Sequence, residues 1–422
     1  MTAGRRIASL VIGAVWLAAI SAADWRQFRG PDGQGISPEK GLPTAWSADK
    51  NIMWKVKLPG AGASCPVVQG DRVFVTCYSG YGMDVKEPGK QDDLRRHLVC
   101  LDRRRGTTKW AKEFEPALPE HKYQGEGSYH GYAANTPVVD GEYPYVFFGK
   151  SGVYCFDLDG KEVWHVTVGK NTNGWGSGAS PILYKDTLLV NVSVENGAIV
   201  ALARKDGKEL WRSPGIHSAW NTPVLVTTAD KKAELVVSVQ DRVVGLDLDN
   251  GKELWRAEGV HSYVCPSVVA HDGVVYAIGG GSTSLAVKAG GSGDVTKTNV
   301  VWRENKGSNV GSPVYFQGHL YWASDGGGTV HCQDAATGKT IYSERLGPTP
   351  GQIWASPVLA DGNLYYVSKA IGVCVVAAEP KFKLVAHNVI DGDKARSNAS
   401  LAVSDGQLFL RNDDYLYCIG RH

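Results

Sequence analysis

Residues 245–255, Gly-Leu-Asp-Leu-Asp-Asn-Gly-Lys-Glu-Leu-Trp, decide the reading of this chain, because their spacing returns along its length. A small residue stands first, Asp often third, Gly seventh and an aromatic eleventh. Cys100, Asp102, Gly106 and Trp110 repeat the pattern, as do Ala201, Gly207 and Trp211, and Cys332, Asp334, Gly338 and Tyr342. Cys155, Asp157, Gly160 and Trp164 follow it with one residue deleted. Glycine supplies a tight turn between strands, and the tryptophan after it has a large flat surface to bury against a neighbouring unit. The small first residue leaves that ring room.

A second periodicity precedes the first. Proline returns at Pro66, Pro137, Pro181, Pro223, Pro266, Pro313 and Pro357, and apart from the first interval the spacing is about 42 to 47 residues, the size of a four-stranded propeller blade. Each proline opens a short apolar run, where its missing N–H costs least. Turns such as Asp272-Gly273 and Asp361-Gly362 follow, suited to hairpins that need positive φ. Seven prolines and the run Ser400 to Val403 mark eight inner strands. The final unit has no outer strand before the chain stops, whereas Trp54 belongs to an outer strand with no unit before it. The expected fold is therefore all-β: an eight-bladed β-propeller of four-stranded antiparallel blades, with Ile52 to Leu58 completing the last blade and closing the ring. A seven-bladed ring stays open should the Cys374 region fail to form its own blade, with Phe382 to Val385 as its degenerate outer strand.

Composition agrees with many short strands: 422 residues include 51 glycines, with 43% hydrophobic and 21% charged residues. A formal net charge of +2, scattered along the chain, offers no field for phosphate backbones, so no nucleic-acid partner is expected. Arg5-Arg6, an apolar stretch from Ile7 to Ile20 and the small residues Ser21 to Ala23 read as a cleaved signal peptide over 1–23. An uncleaved anchor is the alternative, although the run is short of the roughly 20 residues that span a bilayer. Residues 24–50 then form an N-terminal extension and 51–422 the propeller. The expected location is periplasmic or extracellular; an integral membrane protein is not expected, and peripheral association stays open.

Eight cysteines in an exported chain would suggest four disulfides. Cys100, Cys155, Cys332 and Cys418 instead occupy the small-residue position of the repeat, too far apart between blades to bridge, and read as packed free thiols. Cys65 and Cys77, set opposite each other by the turn at Gly70-Asp71, leave a cross-strand disulfide open.

Chain direction places the connections between blades, and the loops between second and third strands, on one face. Two long segments, Tyr78 to His97 and Glu115 to Tyr132, rise from that face, and loops of such length are frequently functional. The connections carry His130, Trp175, His217 with Trp220, His261 with Tyr263, Asn309, Gln352 with Trp354, and Arg396 just before the inner strands. These are expected to converge on the central channel as a ligand or partner face. Gly279 to Gly281 and Gly326 to Gly328 read as turns, and the acidic residues Asp391, Asp393, Asp413 and Asp414 as solvated loop groups. No zinc-protease helix, paired Cys-X-X-Cys, phosphate-binding loop or nucleophile elbow is present in the sequence.

The repeat resembles the tryptophan-docking motif of the quinoprotein (pyrroloquinoline quinone) repeat family, over about Trp54 to Ile419. The openings Asp24 to Pro31 and Gly290 to Thr298 look like those of exported members of unassigned role. Two outcomes are implied by the resemblance: quinone- and calcium-dependent dehydrogenases of alcohols or sugars, and non-enzymatic propellers of the BamB-like outer-membrane assembly type. The dehydrogenases stack the quinone on a disulfide of adjacent cysteines, and no adjacent pair exists here. No cysteine lies near the cleavage site to carry a BamB-type lipid anchor. The leading expectation is a non-catalytic scaffold without catalytic residues, cofactor or metal, binding a protein, peptide or glycan partner on its long-loop face. The alternative is an enzyme using pyrroloquinoline quinone (PQQ) and calcium, with Trp175, Trp220 or Trp354 as stacking platform and Glu195 or Asp325 near the metal.

Overall fold

The computed structural model describes residues 24–280, 282–347 and 351–421. The predicted signal peptide, residues 1–23, and Gly281 of the predicted turn lie outside them. Eight antiparallel four-stranded sheets follow one another around a ring. Their inner strands begin at Val67, Val138, Ile182, Val224, Val269, Val314, Val358 and Ala402. The first blade is typical, with Val67–Gln69, Arg72–Ser79, Arg95–Asp102 and Thr108–Phe114 in order. Ile52–Lys57 pairs with Tyr415–Ile419 and completes the eighth blade, so the ring closes with the first and last strands of the propeller hydrogen-bonded to each other. Gly372–Ala377 forms the third strand of a full seventh blade, which settles the count at eight.

Register explains the repeat. Cys100 lies opposite Trp110, Cys155 opposite Trp164, Ala201 opposite Trp211, Ala286 opposite Trp302, Cys332 opposite Tyr342 and Cys418 opposite Trp54. The small first residue is thus the cross-strand floor beneath the aromatic ring. The ring itself reaches across to the next blade. Trp54 Nε1 donates to the Arg103 carbonyl at 2.8 Å, Trp110 to Leu158 at 2.8 Å, Trp164 to Arg204 at 2.8 Å and Trp302 to Ala335 at 2.9 Å. The turn glycine of that next blade lies against the indole: a Cβ on Gly106 would come within 2.6 Å of Trp54. Each motif therefore supplies a ring for the following blade and a glycine for the preceding one.

Two blades depart from this scheme. Trp255 turns inward and donates to Glu234 Oε2 at 2.7 Å, both residues being buried. The fifth blade has no turn motif to receive it; the segment Gly290 to Asn299 takes that place, and its strand Gly293–Asp294 adds in parallel to the fourth blade. In the seventh blade the outer strand runs Leu384–Asn388, slightly later than the sequence suggested, with Ala386 opposite Val375 where others carry an aromatic. The N-terminal extension brings Trp46 to that blade, buried and stacked on Tyr365.

All eight cysteines are free, including Cys65 and Cys77, so the cross-strand disulfide is not formed. Cys65 has another role. Two residues before every inner strand but the first stands a serine or threonine, and Cys65 N donates to Thr136 Oγ1, Thr136 N to Ser180, Ser180 N to Thr222, Thr222 N to Ser267, Ser267 N to Ser312 and Ser312 N to Ser356. The Cys65 thiol takes the hydroxyl's place toward Ser400. A hydrogen-bonded belt thus ties neighbouring blades around the channel. In the fifth blade the belt uses Ser267, one residue after Pro266 rather than one before it.

The extension crosses the hairpin face. Trp25 pairs with Val68, Gly70 N donates to Asp24, Ile36–Ser37 adds in parallel to Val358–Ala360, and the Glu39 carboxylate accepts from Asp405 N and Gly406 N. At the centre Arg29, 1% exposed, donates to the carbonyls of Gly33, Gln34 and Pro313. This end of the channel is covered by the chain's own residues.

Candidate functional site

The connections between blades meet on the opposite face around a central cavity of about 200 Å³. Its wall includes His130, Trp175, Trp220, Tyr263, Asn309 and Trp354, six of the residues expected to converge there. Asp325 also lines it, accepting from Asn309 N and Asn309 Nδ2 at 3.2 Å each. Phe28 of the extension lines this cavity and the cavity beneath it, and so stands as the floor between them.

The aromatic groups meet as a cluster. Trp175 lies 5.2 Å from Trp220 at 48° and 4.5 Å from Tyr263 at 71°, while Trp220 and Tyr263 are nearly perpendicular at 6.3 Å. Trp220 is pinned by its Nε1 bond to the Gly176 carbonyl at 2.9 Å. Trp354 stands edge-on to Tyr129, and the Lys369 ammonium lies over both rings at 4.3 Å and 3.6 Å. Burial brings Lys369 down to about 8 and His130 to about 4, so the imidazole is neutral at pH 7.

Four expected ring members stand elsewhere. His217 is exposed and packs beside Gly197. His261 is exposed and held by Asp241 at 3.0 Å and Glu258 at 2.9 Å, which raise its pKa. Gln352 accepts from Lys369 Nζ at 3.1 Å. Arg396 pairs with Asp413 at 2.8 Å and donates to the Ser128 carbonyl at 3.0 Å, so it anchors a loop. The reason is common to the last three: repeat position sets where the backbone runs, while a nearby polar partner sets where a long side chain ends. Asp393, expected to be solvated, likewise accepts from Asn412 and Tyr417.

The two long segments are folded together. Their irregular parts are shorter at the first loop than expected, because Tyr78, Ser79 and Arg95 to His97 belong to strands. Arg96 and Glu120 form a buried ion pair at 2.8 Å, and Arg96 also donates to Phe148 O at 2.7 Å and Ser151 Oγ at 2.6 Å. Gln91 Nε2 donates to Glu120 O at 2.8 Å, and Tyr81, Tyr123 and Tyr132 pack between the loops. Next to this knot Glu195 is buried with Oε2 unpaired, and burial raises its carboxyl to about 7. It shares a small separate void with Arg96, Glu120 and His121.

Residues 94–299 and 292–414 match the family model described as outer membrane protein assembly factor BamB. The chain belongs to the BamB family. Among solved structures, BamB from Moraxella catarrhalis is similar to it with a TM-score of 0.61 at 13% identity, covering 87% of this chain and 97% of that one. Europium-containing methanol dehydrogenase has a TM-score of 0.68 at 11% identity over 94% and 98%, and the computationally designed protein Ika8 has 0.59 at 13% over 88% and 99%. At such identities the likeness shows the fold alone. A comparison with curated proteins finds no significant match.

The quinone and calcium used by dehydrogenases of this fold are poorly accommodated in this BamB-family chain. Of the two alternative metal carboxylates, Asp325 faces the central cavity and already accepts two bonds from Asn309, while Glu195 lies in a different void away from the aromatic wall. No cluster of three or more metal-ligating side chains occurs among the described residues. The rings offer no flat slot for a planar quinone either: Lys369 covers Trp354, and Trp175 with Trp220 forms a wedge. Sequence reasoning missed Glu126, which lines the cavity from a loop without periodicity, and Phe28, which comes from an extension without repeats. Both lie in segments the sequence singles out, Glu115 to Tyr132 and Asp24 to Pro31, but nothing in the sequence marks the individual residue.

Proposed function

We propose that this BamB-family chain is a non-catalytic exported scaffold that holds a protein or peptide partner on its long-loop face, with the central cavity as the recess at the middle of that face. The observation that supports it most strongly is preorganisation. The two long segments are tied to each other by the Arg96–Glu120 pair, and Arg396 anchors the second of them to the last blade, around a recess floored by Phe28. A surface held rigid before binding loses little conformational entropy when a partner arrives. Among the described residues no helix is long and apolar enough to cross a membrane. Export to the periplasm or cell exterior is supported by the predicted signal peptide.

The experiment is capture from the native periplasm or secreted fraction by the intact chain and by a chain in which residues 81–93 are replaced by a short glycine linker. Those limits spare the strands that the wider segment would have cut. Loss of a captured partner with unchanged far-ultraviolet circular dichroism is the expected result, and undiminished capture would overturn the reading. Titration with pyrroloquinoline quinone and calcium should give no saturable quenching of tryptophan fluorescence. Tight, calcium-dependent quenching would return the oxidoreductase reading.

A further inference from the structure

The charged side chains in and around the central recess divide into those already engaged and those left over. Lys369 rests on Tyr129 and Trp354 and bonds to Gln352, and Arg396 is paired with Asp413. Burial keeps the His130 imidazole neutral. Glu126 and Asp325 remain: both line the cavity, and neither forms an ion pair with a described residue. Their fields meet inside it, since both act on the Tyr263 hydroxyl and on the Cys265 thiol. The recess is thus lined by two carboxylates that form no ion pair with a described residue, beside an aromatic wall.

That wall is suited to a cation. Trp175, Trp220 and Tyr263 line the cavity at steep mutual angles, and an aromatic ring face attracts an ammonium or guanidinium through its quadrupole. The molecule shows the same interaction with its own Lys369, 3.6 Å and 4.3 Å above Tyr129 and Trp354. A cavity of about 200 Å³ admits one side chain or a small amine, not a folded domain.

We propose that the central recess is a cation-selective site, taking one organic ammonium or guanidinium group between the Trp175–Trp220–Tyr263 wall and the carboxylates of Glu126 and Asp325. It deepens the binding reading above by naming what enters the recess. The group belongs either to a lysine or arginine side chain of a partner or to a free amine, and the two sources share this chemistry.

Calorimetric titration of the full chain tests it with paired probes. Choline is compared with its neutral isostere 3,3-dimethylbutan-1-ol, and a capped lysine tripeptide with its Nε-acetylated form. At least one charged probe should bind at one site per chain, at least about tenfold tighter than its neutral counterpart. Glu126→Gln and Asp325→Asn should each weaken it at least about fivefold, and Glu162→Gln, on an exposed outer strand, should not. Choline alone binding identifies a free amine as the source, and the peptide alone a polypeptide. Neutral probes binding as tightly as charged ones, no charged probe binding, or full affinity in the doubly substituted chain would overturn the proposal. If Asp325→Asn fails to fold, the paired probes on the unaltered chain and Glu126→Gln, in an exposed loop, still decide it. Failure of the scaffold reading shows separately, as capture indifferent to residues 81–93.

Discussion

Gly245 lies directly opposite Trp255 in the fourth blade, and a Cβ on that glycine would stand 2.2 Å from the indole Nε1. The ring occupies the space where six other blades keep a cysteine or alanine side chain, which lets it turn inward onto Glu234. Gly245→Ala should therefore displace Trp255, break the buried bond to Glu234 and cost about 2–4 kcal/mol in denaturant unfolding. Ala201→Gly beneath Trp211, where no such conflict exists, should cost under about 1.5 kcal/mol. Equal costs would show that the inward turn of Trp255 is not what Gly245 permits.

The belt around the channel gives Cys65 a distinct signature. Cys65→Ser places a hydroxyl where the other blades have one and should stay within about 1 kcal/mol of the parent, whereas Cys65→Val leaves the Ser400 groups unmatched and should cost about 1–3 kcal/mol. Burial raises the Cys65 thiol pKa, so thiol reagents should reach it only after unfolding. Rapid labelling in the folded protein would contradict the packing.

Arg29 ties the extension to the ring. Arg29→Ala would leave the Gly33, Gln34 and Pro313 carbonyls without their donor and should lower stability by about 2–4 kcal/mol. Limited proteolysis should then release a fragment ending within residues 24–50 before the propeller itself is cut. Unchanged protection would mean that Trp25 and Trp46 hold the segment without it.

Glu195 sets a pH dependence. Its carboxyl, ordinarily near 4.5, is raised to about 7 by burial, so between those values the folded state holds a proton that the unfolded state has lost. Stability from this group is fully present below pH 4.5 and declines until pH passes 7. Glu195→Gln removes the decline, and its stability relative to the parent should rise by about 2–3 kcal/mol between pH 4.5 and 7.5. Urea midpoints measured across that range check it; a constant difference would refute it.

The buried pair between the two loops should behave differently from any surface bridge. Glu120→Ala strands Arg96 without its counter-charge and should cost about 3–5 kcal/mol, with increased proteolysis confined first to residues 80–94 and 115–131. Loss of partner capture at unchanged blade structure would connect the lock to the face it shapes.

The blades, their number and the closing strand were legible in the sequence because they rest on local rules that recur: a strand-opening proline or small hydroxyl residue, a Gly turn, and a small residue opposite an aromatic. Repetition averages out local noise, and Ile52–Lys57 was recognisable as the missing outer strand for that reason. The convergence of His130, Trp175, Trp220, Tyr263, Asn309 and Trp354 was also readable, since blade position fixes which backbone reaches the channel.

What the tertiary structure decided lies outside the repeat. His261, Gln352 and Arg396 are drawn away by Asp241, Lys369 and Asp413, partners distant enough in sequence to leave no pattern. Phe28 became a floor, Cys65 a link in a belt and Glu126 a recess carboxylate through contacts that no periodicity encodes. A repeated motif specifies the strand on which a residue rides; the end point of a long polar side chain depends on the charges and cavities that the closed ring assembles around it.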